Sequence, residues 1–302
     1  VNIVILLTYL SIKNINFFIS IILIFLILKF TRLSEYGYDY PFNLVLLNLI
    51  VVFFNFRKEI NFYDLFLVFV LAFLIKITAI FFIPLLAYLL YTKRKDFDLF
   101  NINNYYIIAL IIIFILENIM RGGCFFSPVL YTCLPKEILQ WSINLMKLQN
   151  HQLHIELWAK SFYHQLNSNI NNPEIFLSNF NWLSNWYKSH FLVKIFENIV
   201  IICTVAIIIR ILSVKKTLYK KFQYENYIVL LCSLISILFW ILYLPQFRFA
   251  YSIILIFLSK IFVISFRHYL PRTKLFFSLI IISILFFNFK NLMRINHDLK
   301  RN

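Results

Sequence analysis

An all-α, polytopic bundle of transmembrane helices is the fold class this chain predicts, and three observations predict it. Of its 302 residues 62% are hydrophobic, well above the roughly 45–50% apolar share of an ordinary soluble domain. The apolar residues form continuous runs, and because lipid cannot satisfy exposed backbone groups, such runs span a membrane as helices. Lysine and arginine, 29 together against 13 acids, gather mostly in short clusters between the runs, as the positive-inside rule expects of cytoplasmic loops. That pattern accounts for the formal charge of +16 and argues against nucleic acid as a partner.

A hydrocarbon core about 30 Å thick needs ~20 helical residues, and that ruler places the elements in order. A partial span at 1–12 is followed by spans at 15–30 and 41–56. The stretch 62–92 is too long for one upright helix. It carries Lys76 near its middle and Pro84 beyond, and it divides into two short helices that meet near Lys76. Further spans fall at 104–120, 191–213, 227–244, 250–266 and 273–289, giving about eight to ten in all. The clusters "TKRKD" (92–96), "VKKTLYKK" (214–221) and "RHYLPRTK" (267–274), together with Arg57 and Lys58, then share the cytoplasmic side, and only the basic tail after 289 falls on the other. The organisation is 1–120 N-terminal transmembrane helices, 121–190 an extracytoplasmic segment, and 191–302 C-terminal transmembrane helices.

The outer face collects what is neither apolar nor basic: the stretch 31–43, the tip at Lys76, the segment 121–190 and "LPQFRFA" (244–250). Cys124 and Cys133 are the cysteines outside the expected spans, and on the oxidising side of a membrane they read as a disulfide; two free thiols are the alternative. Cys203 and Cys232 fit as small apolar residues within helices. From Lys136 to Leu166 apolar residues recur at helical spacing, and four of the five tryptophans (Trp141, Trp158, Trp182, Trp186) fall in this outer segment. An amphipathic interfacial helix follows, either as a plain cover or as a lid over a lipid-linked substrate. His151 and His154 lack a third ligand at a suitable spacing, so they are read as solvated and no metal site is assigned.

Charges close to lipid are costly unless they pair or line a wet cavity. Lys76 and Arg248 at one depth suit a diphosphate, with arginine as a fork and lysine as a point charge; snorkelling to headgroups is the plainer reading. Arg121 is a third candidate for binding substrate. Glu35 and Asp39 stand in "RLSEYGYDYPFN" at the membrane edge, where a carboxylate beside apolar surface can accept a proton from a substrate hydroxyl. The alternative for these acids is a hydrated loop paired with Arg32 or Lys29. With only three glycines, Gly37, Gly122 and Gly123, the sequence holds no glycine-rich phosphate cradle, which excludes P-loop and dinucleotide chemistry. No cofactor is implied.

Outer loops with acids, the split hairpin "FLVFVLAFLIKITAIFFIPLLAYLL" with Lys76, Thr78 and Pro84, and the short motifs "RGGCFFSP…TC" and "PQFRFAY" together resemble the C-type (GT-C) superfamily of polytopic membrane glycosyltransferases, over residues 30–270. The resemblance implies transfer of a sugar from a polyprenyl-phosphate-linked donor to a cell-envelope acceptor, in a bacterial inner membrane, with membrane lipids and the lipid-linked sugar as partners. It also implies a catalytic acid in the first outer loop. That role falls to Asp39 or Glu35 in a reduced loop, or to a first loop upstream of Val1. The competing readings are a polysaccharide polymerase or ligase of the O-antigen type, which wants a second arginine-bearing outer loop, and a lipid or solute transporter, which wants internal repeats and polar residues at mid-membrane.

Overall fold

The computed structural model describes residues 17–29, 39–56, 62–92, 102–127, 129–164, 172–215 and 224–299. The expected span at 1–12, Arg32 and Glu35 lie outside the described residues, as do Arg57, Lys58 and most of the 92–96 and 214–221 clusters. The described part is an all-α bundle of an integral, multi-pass membrane protein.

The first three helices are α1 (Phe17–Leu28), α2 (Asp39–Phe56) and α3 (Phe62–Ile75), and a 3-10 turn Ile77–Phe82 leads into α4 (Ile83–Thr92). They are followed by α5 (Ile102–Gly122) and, in the outer segment, by α6 (Leu145–Ala159), α7 (Pro173–Leu177) and α8 (Leu183–Trp186). The rest of the chain forms α9 (Phe196–Ile211), α10 (Tyr224–Tyr243), α11 (Phe247–Ser265) and α12 (Thr273–Leu299). Two short strands, β1 (Ser213–Lys215) and β2 (Tyr269–Pro271), pair antiparallel with Val214 opposite Leu270. This ribbon is an addition to the all-helical expectation, built where two basic loops meet.

Among the described residues, five helical stretches are long and apolar enough to cross a bilayer, within 104–122, 183–211, 224–243, 247–265 and 274–293. Shorter apolar helices at 17–28, 41–54, 62–75 and 77–92 complete the set. The break expected near Lys76 is present: its backbone is extended (φ −154°, ψ 121°) between α3 and the 3-10 turn, so the two halves fold back as a hairpin with Lys76 at its tip.

Burial sorts the helices. On α1, Phe17 through Ile27 are all buried, the mark of a helix that is apolar all round and central. It is wrapped by α9, α11 and α12, while α11 packs on α2 and α10. The outer surfaces of α5 and α12 carry exposed Ile, Leu and Phe, which in a bilayer face acyl chains. Lys260 is carried into the interior: it is fully buried, donates to Asn226 Oδ1 at 3.2 Å, and sits 3.0 and 3.8 Å from the ring centres of Phe54 and Phe18.

Contacts fix which helix ends lie together. At one end Asp39 meets Lys76 and Arg248, Arg248 lies over Trp158 of the outer segment, and Gln246 donates to Ala159 O. At the other, Tyr88 donates to Glu225 at 2.7 Å, Phe17 packs on Phe266, and the β ribbon joins the ends of α9 and α11. Arg210, Lys215, Arg267 and Arg272 belong to this second end, the end that the positive-inside rule expects on the cytoplasmic side.

The outer segment departs from the expected helix over Lys136–Leu166. Residues 136–144 form turns, and the helix starts only at Leu145, where Asn144 caps it by accepting from Met146 N at 2.9 Å; an asparagine at that position ends the preceding loop and satisfies a free N–H. Past the segment, helical backbone runs without interruption from Leu183 through a π-helical stretch, Tyr187–Ile195, into α9. The span expected from 191 therefore starts earlier, and position 190 lies within the helix.

Candidate functional site

Three side chains from three separate elements meet at the outer end of the bundle. Asp39 is the first residue of α2, where a carboxylate is favoured by the helix dipole. Lys76 stands at the hairpin tip, its extended backbone anchored by Lys76 N to Ala72 O at 2.9 Å. Arg248 is in the first turn of α11, positioned by Pro245, which ends the run of α10, and by Gln246 at the N-cap.

Lys76 Nζ donates to Asp39 Oδ1 at 2.7 Å. Arg248 Nε lies 3.5 Å from Asp39 Oδ2, near enough for charge attraction but misaligned for a hydrogen bond, and this buried Nε has no hydrogen-bond acceptor among the described residues. Aromatic faces enclose both cations. Lys76 Nζ is 4.0 Å from the Phe249 ring centre, and the Arg248 guanidinium is 4.8 Å from the same ring and 4.6 Å from Trp158 of α6. Two cations facing one carboxylate leave a positive charge over. Lys76 stands between the spanning segments rather than within one. Burial lowers its pKa, Asp39 opposes that shift by charge and hydrogen bond, and Arg248 adds to it.

Asn43, one turn into α2, locks this geometry. Its Nδ2 donates to Asp39 O at 2.7 Å and to Arg248 O at 2.9 Å, and its Oδ1 accepts from Ser252 N at 3.1 Å and Ser252 Oγ at 2.6 Å. All four hydrogen-bonding positions of a buried amide are used, tying the starts of α2 and α11 together. No sequence signal distinguishes Asn43 from the other asparagines of a chain rich in them.

The turn under Arg248 is held by indoles. Trp186 Nε1 donates to Pro245 O at 2.6 Å and Trp240 Nε1 to Gln246 O at 2.8 Å. Gln246 Nε2 donates to Ala159 O at 3.2 Å and lies 2.7 Å from His190 Nε2, linking the end of α6 to the π-helical stretch. Trp182 and Trp186 are thus buried packing anchors rather than headgroup-level rings, while Trp141 is exposed.

The other sequence-predicted residues stand elsewhere. Arg121 pairs with Glu117 one turn back on α5, both well exposed. Lys29 pairs with Glu197 at 2.7 Å, so it does not serve Asp39. Cys124 and Cys133 are joined by a disulfide, while Cys203 and Cys232 are free within helices. The loop this disulfide closes needs Gly123, whose φ is 72° and whose place a side chain could take only by striking Ser142. His154 Nδ1 lies 2.7 Å from Tyr163 Oη.

Residues 1–255 match the model of a family described as Domain of unknown function (DUF8201). The chain belongs to that family. The match contains Asp39, Asn43, Lys76 and Arg248 and leaves α12 outside it. No curated protein and no solved structure matches the chain.

Proposed function

We propose that this DUF8201 chain is a glycosyltransferase of the bacterial inner membrane that passes a sugar from a polyprenyl-phosphate-linked donor to a cell-envelope acceptor at the outer face. Asp39 takes the proton of the acceptor hydroxyl. That oxygen bonds to the anomeric carbon as the bond from this carbon to the phosphate oxygen breaks, a single displacement that inverts the centre. The electron pair leaves on the phosphate, whose growing charge is met by Lys76 and Arg248. The observation that carries the reading is the convergence of one carboxylate and two cations, from α2, the hairpin tip and α11, under Trp158 at the outer end.

Two details support a phosphate as the anion. The surplus positive charge at the membrane edge is costly without a counter-ion, and the buried Arg248 Nε–H has a hydrogen bond still to give. Asp39 occupies the cations in the free protein, so an arriving phosphate draws Lys76 and Arg248 to itself and releases the carboxylate to act as base. Transfer from a polyprenyl-phosphate sugar in reconstituted vesicles tests the reading. Arg248→Ala is expected to insert normally and to lose transfer by about 100-fold or more, the scale of a removed charge-stabilising donor; unchanged transfer refutes it.

A further inference from the structure

The start of the outer segment folds back on the end of α5. Phe126 packs on Phe73 of α3 with ring centres 6.3 Å apart, which puts this end of α5 on the same side of the bundle as the hairpin tip. A helix finishes with carbonyls that its own turns leave unsatisfied, and residues 134–143 supply donors for them. Leu134 N donates to Gly123 O at 2.8 Å, Ile143 N to Gly122 O at 3.1 Å, and the Trp141 indole Nε1 to Ile119 O at 3.2 Å. The turns over 136–144 are thereby fixed against the last turn of a membrane span.

What this fixed piece presents outward is apolar. Five of the nine residues from 138 to 146 are large, hydrophobic and exposed: Ile138 (65%), Trp141 (59%), Ile143, Leu145 and Met146 (71%). Exposed apolar side chains standing singly are ordinary, but a run of them marks a surface that something covers. Two observations identify the cover. The run continues the lipid-facing side of α5, where Ile112, Leu116 and Met120 are exposed along a span with only 11% of its residues buried. Its level is that of the headgroups, because the Trp141 indole reaches Ile119 O between Glu117 and Arg121, an exposed ion pair at 2.6 Å that hydrocarbon would not admit. Lys136 and Lys147 are exposed on either side, with Glu137 beside the first, and they suit the phosphates of that layer.

We infer that residues 138–146 form an in-plane anchor set into the outer leaflet, with Ile138, Trp141 and Met146 at the boundary of headgroups and acyl chains and Lys136 and Lys147 at the phosphates. At this level the backbone stays in reach of water while the ring does not. The interfacial role that spacing assigns to a helix over Lys136–Leu166 thus falls to turns and the first residues of α6. That helix starts inside the anchor at Leu145 and carries Trp158, the ring over Arg248, near its other end. The bilayer surface therefore holds one end of the element whose other end covers the cluster. The anchor does not depend on the chemistry proposed for Asp39, and its test needs no donor sugar.

The test uses the full chain in nanodiscs whose phosphatidylcholine is brominated either near the headgroup or near the chain ends, reading the tryptophan emission of the wild type minus that of Trp141→Phe. This difference, the emission of Trp141, should be quenched more by the shallow bromines than by the deep ones, and more than by iodide in the water. Quenching by iodide and not by bromine puts the ring in water, and quenching by neither puts it under protein, such as a second copy of the chain; either result overturns the anchor. An environment-sensitive nitrobenzoxadiazole dye on Ile138→Cys, in a Cys203→Ser, Cys232→Ser background, gives an independent reading should Trp141→Phe insert poorly. Its emission should be shifted to the blue and resist iodide, and the emission of the dye in water overturns the anchor.

Discussion

Asp39 sits where removing its charge has opposite effects on chemistry and on binding. Asp39→Asn abolishes the base, so transfer should fall by about 100-fold or more. It also frees Lys76 and Arg248, so inorganic pyrophosphate should bind about fivefold more tightly, the worth of a partly exposed ion pair near 1 kcal/mol. Equilibrium binding to the purified variant checks this, and weaker binding would show Asp39 to be a mere structural partner. Lys76 supplies a pH signature. Its pKa is lowered by burial, and only its protonated form attracts an anion, so binding should decline as pH rises through a value below that of a free lysine. Lys76→Arg should remove that alkaline decline. The residues making this cluster were legible in the sequence because an acid, a lysine and an arginine near lipid each demand an explanation. Asn43 was not, since an amide reveals itself only through partners more than 200 positions away.

At the scale of elements, the hairpin break and the membrane spans follow from length and apolar continuity, which act locally along the chain. The outer segment was harder. Helical spacing over Lys136–Leu166 suggested one interfacial helix, yet tertiary contacts divide it, because the Cys124–Cys133 loop and Ser142, which donates to Leu134 O at 2.6 Å, hold residues 136–144 in turns. The disulfide closes a loop with a sequence separation of 9. Reduction should therefore cost about 2.5 kcal/mol of stability on the loop-entropy scale. A lower melting temperature in reductant, matched by Cys133→Ser and not further lowered by reductant in that variant, checks it. Trp182 and Trp186 are buried rather than at headgroup level, and composition cannot tell a ring in the headgroups from a ring that holds a turn.

For the whole molecule, the arrangement of helix ends puts the cluster and the basic ribbon at opposite ends of the bundle. Single cysteines in a Cys203→Ser, Cys232→Ser background should report this. A cysteine replacing exposed Trp141 should react with an impermeant maleimide added to intact cells, and one replacing Lys215 should react only after the membrane is opened. Labelling of both from the same side would overturn the orientation. The ribbon was not legible in the sequence, because three-residue strands carry too little pattern to register.

Lys260 gives the bundle an order along the chain as well as a shape. An ammonium carried into hydrocarbon by a helix alone costs about 2.5–3.5 kcal/mol on insertion scales, and its partners here, Phe18, Phe54 and Asn226, all belong to earlier helices. Every described group that meets this buried lysine therefore lies on a helix that precedes α11 in the chain.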